Sequence, residues 1–273
     1  MKPLIKLLSA AAPNVVVNIA YKKILKPQVF KLRPHEVEII QQAEEKSITY
    51  KGFEVKTYKW GSGKDKLLMV HGWEGQAGNF SDLIQMLKDY DVTIYSFDAP
   101  SHGYSSQGPT TMFEFSDLVK YMLETYDIKK VISHSFGSVG TTHCLANYPF
   151  IMDKYVMMTT PDRFMERIDD VAEMVGMTNK VKHRLLNRLE TEFNVAANEQ
   201  NVSDFIQKTN IKEGMIFQDI NDKIVRLSQS ESVAKAWGKN CQLIKIEGTG
   251  HFRILRTETV LQQVIDFLDF DKN

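Results

Sequence analysis

The sequence contains few cysteines and no excess of charge of either sign. Its two cysteines, Cys144 and Cys241, fall in a predicted core helix and a predicted core strand. We expect both to be reduced and inert, as in a cytosol-like compartment, which excludes a fold held by disulfides. Basic residues number 34 and acidic residues also number 34, so the formal charge is zero. This balance argues against nucleic acid as the main partner.

Long hydrophobic runs and metal-binding motifs are also lacking. The apolar patches in residues 4–25 are interrupted by lysine, proline and asparagine, whereas a membrane-spanning helix needs about 20 apolar residues. We predict one or two helices there, packed on the domain or on a second subunit. The alternatives are a secretory leader and an amphipathic helix on a membrane surface. No H-E-x-x-H or comparable ligand cluster occurs, so no metal site is predicted.

The most informative stretch is VISHSFGSVG at residues 131–140. It predicts a buried strand, a sharp turn and a helix, with Ser135 in a variant of the G-x-S-x-G nucleophile elbow. Such a turn lifts the hydroxyl of Ser135 to the carboxyl edge of the sheet and points the first helix amides at a reacting oxygen. Small residues are needed two positions before and after it, and Ser133 and Gly137 meet that need. The pattern alone also occurs by chance.

Two further segments support the elbow. The apolar run at 67–70 ends in HGW at 71–73, where a sharp turn would point the Trp73 amide into the site. The predicted strand at 92–97 leads into DAPSHGYS at 98–105. In this order and at these intervals, H-G-W, D-x-P-x-H-G-x-S and S-x-S-x-G resemble the α/β-hydrolase family over about residues 47–270. In these loops we expect His71 and His102 to hydrogen-bond nearby backbone rather than to transfer protons.

The resemblance implies two further residues downstream of the serine, first an acid and then a histidine. The strand predicted at 215–219 is followed by a segment similar to the family's strand-H-G-x-x-D-x-x-V pattern, which maps the acid to Asp222. Asp219 is the less favoured alternative. After a last strand, EGTGHF at 247–252 resembles the family's G-x-G-H loop, so His251 is the implied base. The implied oxyanion hole consists of the backbone amides of Trp73 and Phe136.

About 50 residues between the predicted strands at 155–160 and 215–219 do not belong to the sheet. Helical periodicity covers 162–175 and 179–193, and the resemblance implies that these helices form a cap over the site. Three cap residues are candidates for binding the substrate: Phe164, Met165 and Met174. Methionine at helical spacing is, however, more often ordinary core packing.

The predicted fold class is therefore α/β, with a mostly parallel central sheet covered by helices on both faces and a short helical cap inserted after the sixth strand. The predicted parts are an N-terminal helical segment, a core and a cap, at residues 1–46, 47–160 with 211–273, and 161–210. Within the first part a helix is predicted from Pro34 to Lys46. GSGKD at 61–65 lacks the spacing of a phosphate-binding loop and predicts a hairpin turn between strands.

The resemblance implies a serine hydrolase that cleaves a carboxylic ester or thioester through an acyl-enzyme, with no organic cofactor or metal. Ser135 is the nucleophile, His251 the general base, and Asp222 orients it. The expected partner is a small ester or thioester, with no nucleic acid, no firm membrane anchor and a homodimer through the N-terminal helices as a further candidate. The expected location is cytoplasmic, with export or peripheral membrane association as alternatives. Other functions left open are a non-catalytic binding protein on this fold and a peptidase, lactonase or C–C bond hydrolase using the same residues.

Overall fold

The computed structural model describes residues 2–273, with the backbone alone at residues 2–4, 6 and 7. Its strands are β1 (Glu44–Tyr50), β2 (Phe53–Trp60), β3 (Asp65–Val70), β4 (Val92–Phe97), β5 (Lys130–His134), β6 (Ile151–Met158), β7 (Asn210–Asp219) and β8 (Cys241–Ile246). Its helices are α1 (Lys2–Ala11), α2 (Pro13–Ile24), α3 (Pro34–Gln41), α4 (Ser81–Met86), α5 (Met112–Tyr126), α6 (Phe136–Asn147), α7 (Phe164–Val175), α8 (Asn179–Phe193), α9 (Val202–Ile206), α10 (Leu227–Trp237), α11 (Gly250–Arg253) and α12 (Glu258–Leu268). Within residues 2–273, no helix is both long and apolar enough to cross a membrane.

All eight strands form one sheet in the order β1-β2-β4-β3-β5-β6-β7-β8. The pairs β1–β2 and β2–β4 are antiparallel, and every other neighbouring pair is parallel. The predicted mostly parallel sheet is therefore confirmed. In such a sheet the carboxyl ends of the parallel strands meet at one edge, where loops from separate parts of the chain come together.

Helices cover both faces of the sheet, as the continuous apolar run of β3 predicts. Successive side chains of a strand point to opposite faces. Leu67 and Met69 accordingly pack in a cluster with residues of α4 and α12, while Leu68 and Val70 pack with residues of α5, α6 and α10. All four of these β3 side chains are fully buried. The core thus has two layers, one on each side of the sheet.

The helix predicted from Pro34 to Lys46 is too long. The structure ends α3 at Gln41 and begins β1 at Glu44, so the predicted boundary after residue 46 falls inside a strand. Pairing with β2 explains the difference, because the whole of β1 is in register with it, from Glu44 opposite Lys59 to Tyr50 opposite Phe53. The partner strand β2 comes later in the sequence, so the helical periodicity of residues 34–46 does not reveal this pairing.

The hairpin predicted at 61–65 is also wrong. The strands on either side of this turn, β2 and β3, do not pair with each other, because β4 lies between them. The turn therefore crosses the start of β4. The backbone approach is close there: a Cβ on Gly63 would lie 2.0 Å from the amide nitrogen of Val92, so only glycine fits.

The N-terminal helices pack on the helices inserted between β6 and β7. Buried residues of α2 and α8 share one apolar cluster: Val16, Val17, Ala20, Tyr21, Val181, Leu185, Leu186 and Leu189. The Arg188 guanidinium lies 3.6 Å from the centre of the Tyr21 ring, whose hydroxyl donates to Glu192. Burial and the neighbouring Glu192 carboxylate raise the pKa of Tyr21 to about 12. Packing of these helices on the domain, one of the two predicted arrangements, is what the structure contains.

Candidate active site

Ser135 occupies the turn between β5 and α6 in a backbone conformation that is rare for a side-chain-bearing residue. Its φ is 51° and its ψ is −120°, and such a conformation persists only where the surroundings enforce it. The Ser135 amide is held by the carbonyl oxygens of Met158 and Thr159, at 3.3 and 3.1 Å. Thr159 itself has a positive φ of 59°. The end of β6 thus fixes the serine at the carboxyl edge of the sheet.

The two small residues that flank the turn, Ser133 and Gly137, occur there for different physical reasons. A Cβ on Gly137 would lie 2.5 Å from the carbonyl oxygens of both Val70 and His71, because α6 starts directly against β3. Glycine is therefore required at 137. Ser133 is fully buried, and its hydroxyl lies 2.8 Å from the Tyr155 hydroxyl. Serine fits at this position because it has a buried hydrogen-bond partner.

His251 and Asp222 are in direct contact. The Nδ1 atom of His251 lies 2.8 Å from Oδ2 of Asp222, and both side chains are almost completely buried. The other oxygen, Oδ1, accepts hydrogen bonds from the amides of Ile224 and Val225 at 2.7 and 3.0 Å. Burial alone would raise the pKa of Asp222, but its interactions with His251 and these two amides outweigh burial and lower it. The carboxylate is therefore ionised and faces the imidazole.

The two acid candidates have different surroundings. Asp219, at the end of β7, contacts the loop before His251 rather than the imidazole. Its Oδ2 accepts from the amide of Thr249 at 2.6 Å, from the hydroxyl of Thr249 at 3.0 Å and from the amide of Gly250 at 2.8 Å. Its Oδ1 accepts from the amide of Asn221 at 2.8 Å. Burial would raise the pKa of Asp219, but these hydrogen bonds lower it. Asp219 therefore fastens the loop that presents His251.

His134, the residue before Ser135, holds His251 from the other side. Its Nε2 lies 2.9 Å from the carbonyl oxygen of His251, and the two ring centres are 4.9 Å apart. Burial and the nearby His251 ring lower the pKa of His134 to about 3. The neutral imidazole thus donates its Nε2 proton to that carbonyl. In the sequence, His134 stands at the variable position of the elbow motif, and its place beside Ser135 is the one signal of this contact.

The loop after β3 passes directly over the elbow. A Cβ on Gly72 would lie 3.1 Å from Cβ of Ser135 and 3.0 Å from the carbonyl oxygen of His134. Among the described residues, the amides of Trp73 and Phe136 have no hydrogen-bond acceptor. The Trp73 ring packs edge-on against that of Phe136, with their centres 5.2 Å apart. The Phe136 amide directly follows Ser135, and the Trp73 amide follows Gly72, which lies against Ser135. Unbonded amides of this kind can donate to a negatively charged oxygen, and the oxyanion hole stays a prediction.

His71 and His102 bond to backbone, as predicted. His71 Nδ1 lies 2.8 Å from the Gly72 carbonyl oxygen, and its Nε2 accepts from the Ala99 amide at 3.1 Å. His102 Nδ1 lies 2.9 Å from the Pro100 carbonyl oxygen, and its Nε2 accepts from the Glu74 amide at 3.2 Å. Burial lowers the pKa of His71 well below its usual value and that of His102 to about 4. Both rings are neutral, and they join the loops after β3 and β4.

Asp98 also braces the loop after β3. Its carboxylate accepts from the amides of Ala77 and Tyr104, at 2.8 and 2.9 Å, and from the Tyr58 hydroxyl at 2.9 Å. Complete burial raises its pKa to about 6, in spite of these hydrogen bonds. Its donors are backbone amides and a tyrosine, which makes Asp98 a structural acceptor rather than a group that faces the serine.

The three cap candidates for substrate binding differ in their surroundings. Phe164 and Met165 lie on α7 and pack, partly buried, against the cluster formed by α2 and α8. Met174, near the end of α7, is 59% exposed. Helices occupy the segment between β6 and β7, as predicted, but its function as a cap and the binding of substrate by these residues stay predictions.

Comparison with known proteins identifies the fold. Residues 66–188 match the sequence model of the family described as alpha/beta hydrolase fold. The solved structure of an esterase from Pyrococcus furiosus superposes with a TM-score of 0.65 at 17% identity, covering 90% of this chain and 97% of that one. The chain has the α/β-hydrolase fold. The predicted arrangement of a mostly parallel sheet between two layers of helices is thereby confirmed.

Two curated proteins show how far sequence similarity to this chain extends. A human serine hydrolase-like protein is 30% identical over 141 residues, which span 46% of this chain and 65% of that protein. A pimeloyl-[acyl-carrier protein] methyl ester esterase from Xylella fastidiosa is 26% identical over 95 residues, which span 35% of this chain and 36% of the esterase. This chain thus spans less than two thirds of the length of each of these relatives.

Proposed function

We propose that the protein is a serine hydrolase that cleaves carboxylic esters or thioesters through an acyl-enzyme intermediate. Ser135 Oγ attacks the acyl carbon, and His251 Nε2 takes the hydroxyl proton. The amides of Trp73 and Phe136 donate to the oxyanion of the tetrahedral intermediate. His251 then returns the proton to the departing alcohol or thiol. Water hydrolyses the acyl-enzyme by the same steps and regenerates the Ser135 hydroxyl.

The 2.8 Å contact between His251 Nδ1 and Asp222 Oδ2 carries this proposal. An ionised carboxylate at Nδ1 keeps the imidazole proton on that atom, so Nε2 is left to accept the proton of a serine. No hydrogen bond joins Nε2 to the Ser135 hydroxyl within residues 2–273; in free enzymes this bond is often long and tightens in the substrate complex. The strained backbone of Ser135 supports the same role, because strain of this kind clusters at functional sites.

The proposed substrate class follows from the site and its relatives together. An acyl carbonyl bound to oxygen or sulfur needs a nucleophile, an oxyanion hole and one proton carrier, and the site offers a candidate for each. The printed names of the two curated relatives, a serine hydrolase-like protein and a methyl ester esterase, agree with cleavage of an ester by serine.

A fluorophosphonate probe and p-nitrophenyl esters of graded acyl length test the proposal. We expect one probe per chain, located on Ser135 by peptide mass spectrometry, and turnover of part of the ester series. A folded protein that neither reacts with the probe nor cleaves any ester or thioester would contradict the proposal and favour a binding protein on this fold. Labelling of Ser135 without turnover of any ester or thioester would point instead to a peptidase, lactonase or C–C bond hydrolase.

Asp219→Asn is expected to lower kcat/KM by about 10- to 100-fold, because a small displacement of the base is costly. The side chain of asparagine has one oxygen, whereas both oxygens of Asp219 accept hydrogen bonds. The asparagine amino group would therefore face a donor, either the Asn221 amide or the Thr249–Gly250 backbone, and one set of hydrogen bonds would be lost. The control is Asp266→Asn, an exposed carboxylate on α12, which should leave kcat/KM unchanged. Steady-state kinetics measure kcat/KM for both variants, and thermal unfolding verifies that both are folded. If Asp219→Asn kept the kcat/KM of the control, Asp219 would not be needed to position the loop before His251.

A further inference from the structure

The basic residues are distributed unevenly, although the formal charge of the chain is zero. Residues 1–35 contain seven of the 34 lysines and arginines and none of the 34 aspartates and glutamates. Residues 36–273 therefore carry a formal charge of −7. Four of the seven basic side chains are exposed lysines: Lys22, Lys23, Lys26 and Lys31. In the part of the chain that the structure describes, none of these four has a carboxylate oxygen within 4.0 Å.

Helix α2 is apolar on two opposite sides. One side is buried against α8 and consists of Val16, Val17, Ala20 and Tyr21. On the other side Val15 and Ile19 are 50% and 55% exposed. An α-helix turns about 100° per residue, so Val15, Ile19 and Lys22 lie within about 60° of one another, opposite the buried side. We call Val15, Ile19, Lys22 and Lys23 the outer face of α2.

The chain after α2 connects this region with the candidate active site. The amide of Gln28 donates to Glu74 at 3.1 Å, and the side-chain amide of Gln76 donates to the carbonyl oxygen of Phe30 at 2.7 Å. Glu74 and Gln76 belong to the loop that also carries Trp73. The Phe30 side chain is 74% exposed beside this loop. A surface that bound the outer face of α2 would therefore be linked, through residues 25–30, to the loop that carries Trp73.

We propose that the outer face of α2 docks onto an anionic lipid surface. Helices with an exposed apolar stripe beside lysines lie in the plane of a bilayer interface, where the apolar side chains are buried and the ammonium groups meet lipid phosphates. A second copy of the chain fits this face less well, because it would bring two clusters of uncompensated positive charge together. A nucleic acid would pair with the lysines but would leave Val15 and Ile19 in water. The proposal uses none of Ser135, Asp222 or His251 and is independent of the proposed hydrolase activity.

Co-sedimentation of the full chain with vesicles tests the proposal. We expect binding to phosphatidylcholine vesicles that contain about 30% phosphatidylglycerol, and binding at least about tenfold weaker to pure phosphatidylcholine. Binding should fall steeply in about 0.5 M NaCl, where screening shortens the reach of the lysine charges. The combined Lys22→Gln, Lys23→Gln and Lys26→Gln variant should bind on the order of 100-fold more weakly. Val15→Ser with Ile19→Ser should weaken binding by about tenfold or more.

Matched control variants test whether vesicle binding depends on the outer face of α2 or on exposed lysines and apolar side chains anywhere on the surface. The combined Lys208→Gln, Lys235→Gln and Lys239→Gln variant removes three exposed lysines elsewhere, and Ile151→Ser removes a 50% exposed apolar side chain. Both should bind vesicles like the unchanged protein, as should Ser135→Ala. Equal losses in the control and test variants, or no binding to anionic vesicles at low salt, would overturn the proposal. A dimer in light scattering that becomes monomeric with Val15→Ser and Ile19→Ser would also overturn it, since a second copy would then cover this face.

Discussion

Replacement of Ser135 by alanine is expected to lower kcat for every ester substrate by roughly 10⁴- to 10⁶-fold. The hydroxyl is the proposed nucleophile, and without it only the oxyanion amides and substrate binding remain to accelerate the reaction. The fold should be unaffected, because the turn is held by backbone hydrogen bonds from the Ser135 amide to Met158 and Thr159, which alanine keeps. Steady-state kinetics with p-nitrophenyl esters measure the loss of kcat, and the thermal unfolding midpoint shows separately whether the fold is kept.

Ser133→Ala is the matched control for this variant. Ser133 lies two residues earlier on β5 and is fully buried, and its hydroxyl is hydrogen-bonded to the hydroxyl of Tyr155. Its removal should cost stability of about 1 kcal/mol, the usual contribution of one hydrogen bond, and should leave labelling by a fluorophosphonate intact. Labelling that survives Ser135→Ala, or that disappears with Ser133→Ala in a folded protein, would show that the nucleophile has been assigned to the wrong serine.

Local patterns in the sequence predict the strand–turn–helix of the elbow and favour one of the two acid candidates. The strand–turn–helix at 131–140 is a contiguous signal, and the structure has β5, the Ser135 turn and α6 there. The family-like spacing favoured Asp222 over Asp219, and the structure places Asp222 against His251. Both inferences depend on motifs whose residues lie close together in the sequence. The catalytic roles themselves stay predictions until the variants are measured.

Contacts between distant parts of the chain account for what the sequence did not reveal. The hydrogen bond from His134 to His251 joins residues 117 positions apart, and Asp219 fastens a loop 30 residues away. The insertion of β4 between β2 and β3, which contradicts the predicted hairpin, is likewise a choice of non-adjacent partners. The residues adjacent in sequence do not specify such a pairing. A polar side chain at a strand end can hydrogen-bond to the local backbone as well as to a distant loop.

Asp222→Asn is expected to lower kcat by about 10⁴-fold, and the surroundings of the carboxylate explain why asparagine would be a poor substitute. Oδ1 accepts hydrogen bonds from the amides of Ile224 and Val225, so the single oxygen of asparagine should occupy that position. Its amino group then faces Nδ1 of His251, where it can only donate. The imidazole must move its proton to Nε2 and can no longer accept the proton of Ser135.

The same geometry predicts which properties Asp222→Asn should keep. The two backbone hydrogen bonds to Oδ1 persist, so the loop should stay folded and KM should change far less than kcat. Asp219→Asn is the internal comparison, because it alters the loop before His251 without reversing the tautomer of the base. Measurement of kcat and KM for both variants from pH 6 to pH 9 distinguishes them. If Asp219→Asn lost more activity than Asp222→Asn, the carboxylate that orients His251 would have to be Asp219, and the 2.8 Å contact at Nδ1 would not be the catalytic one.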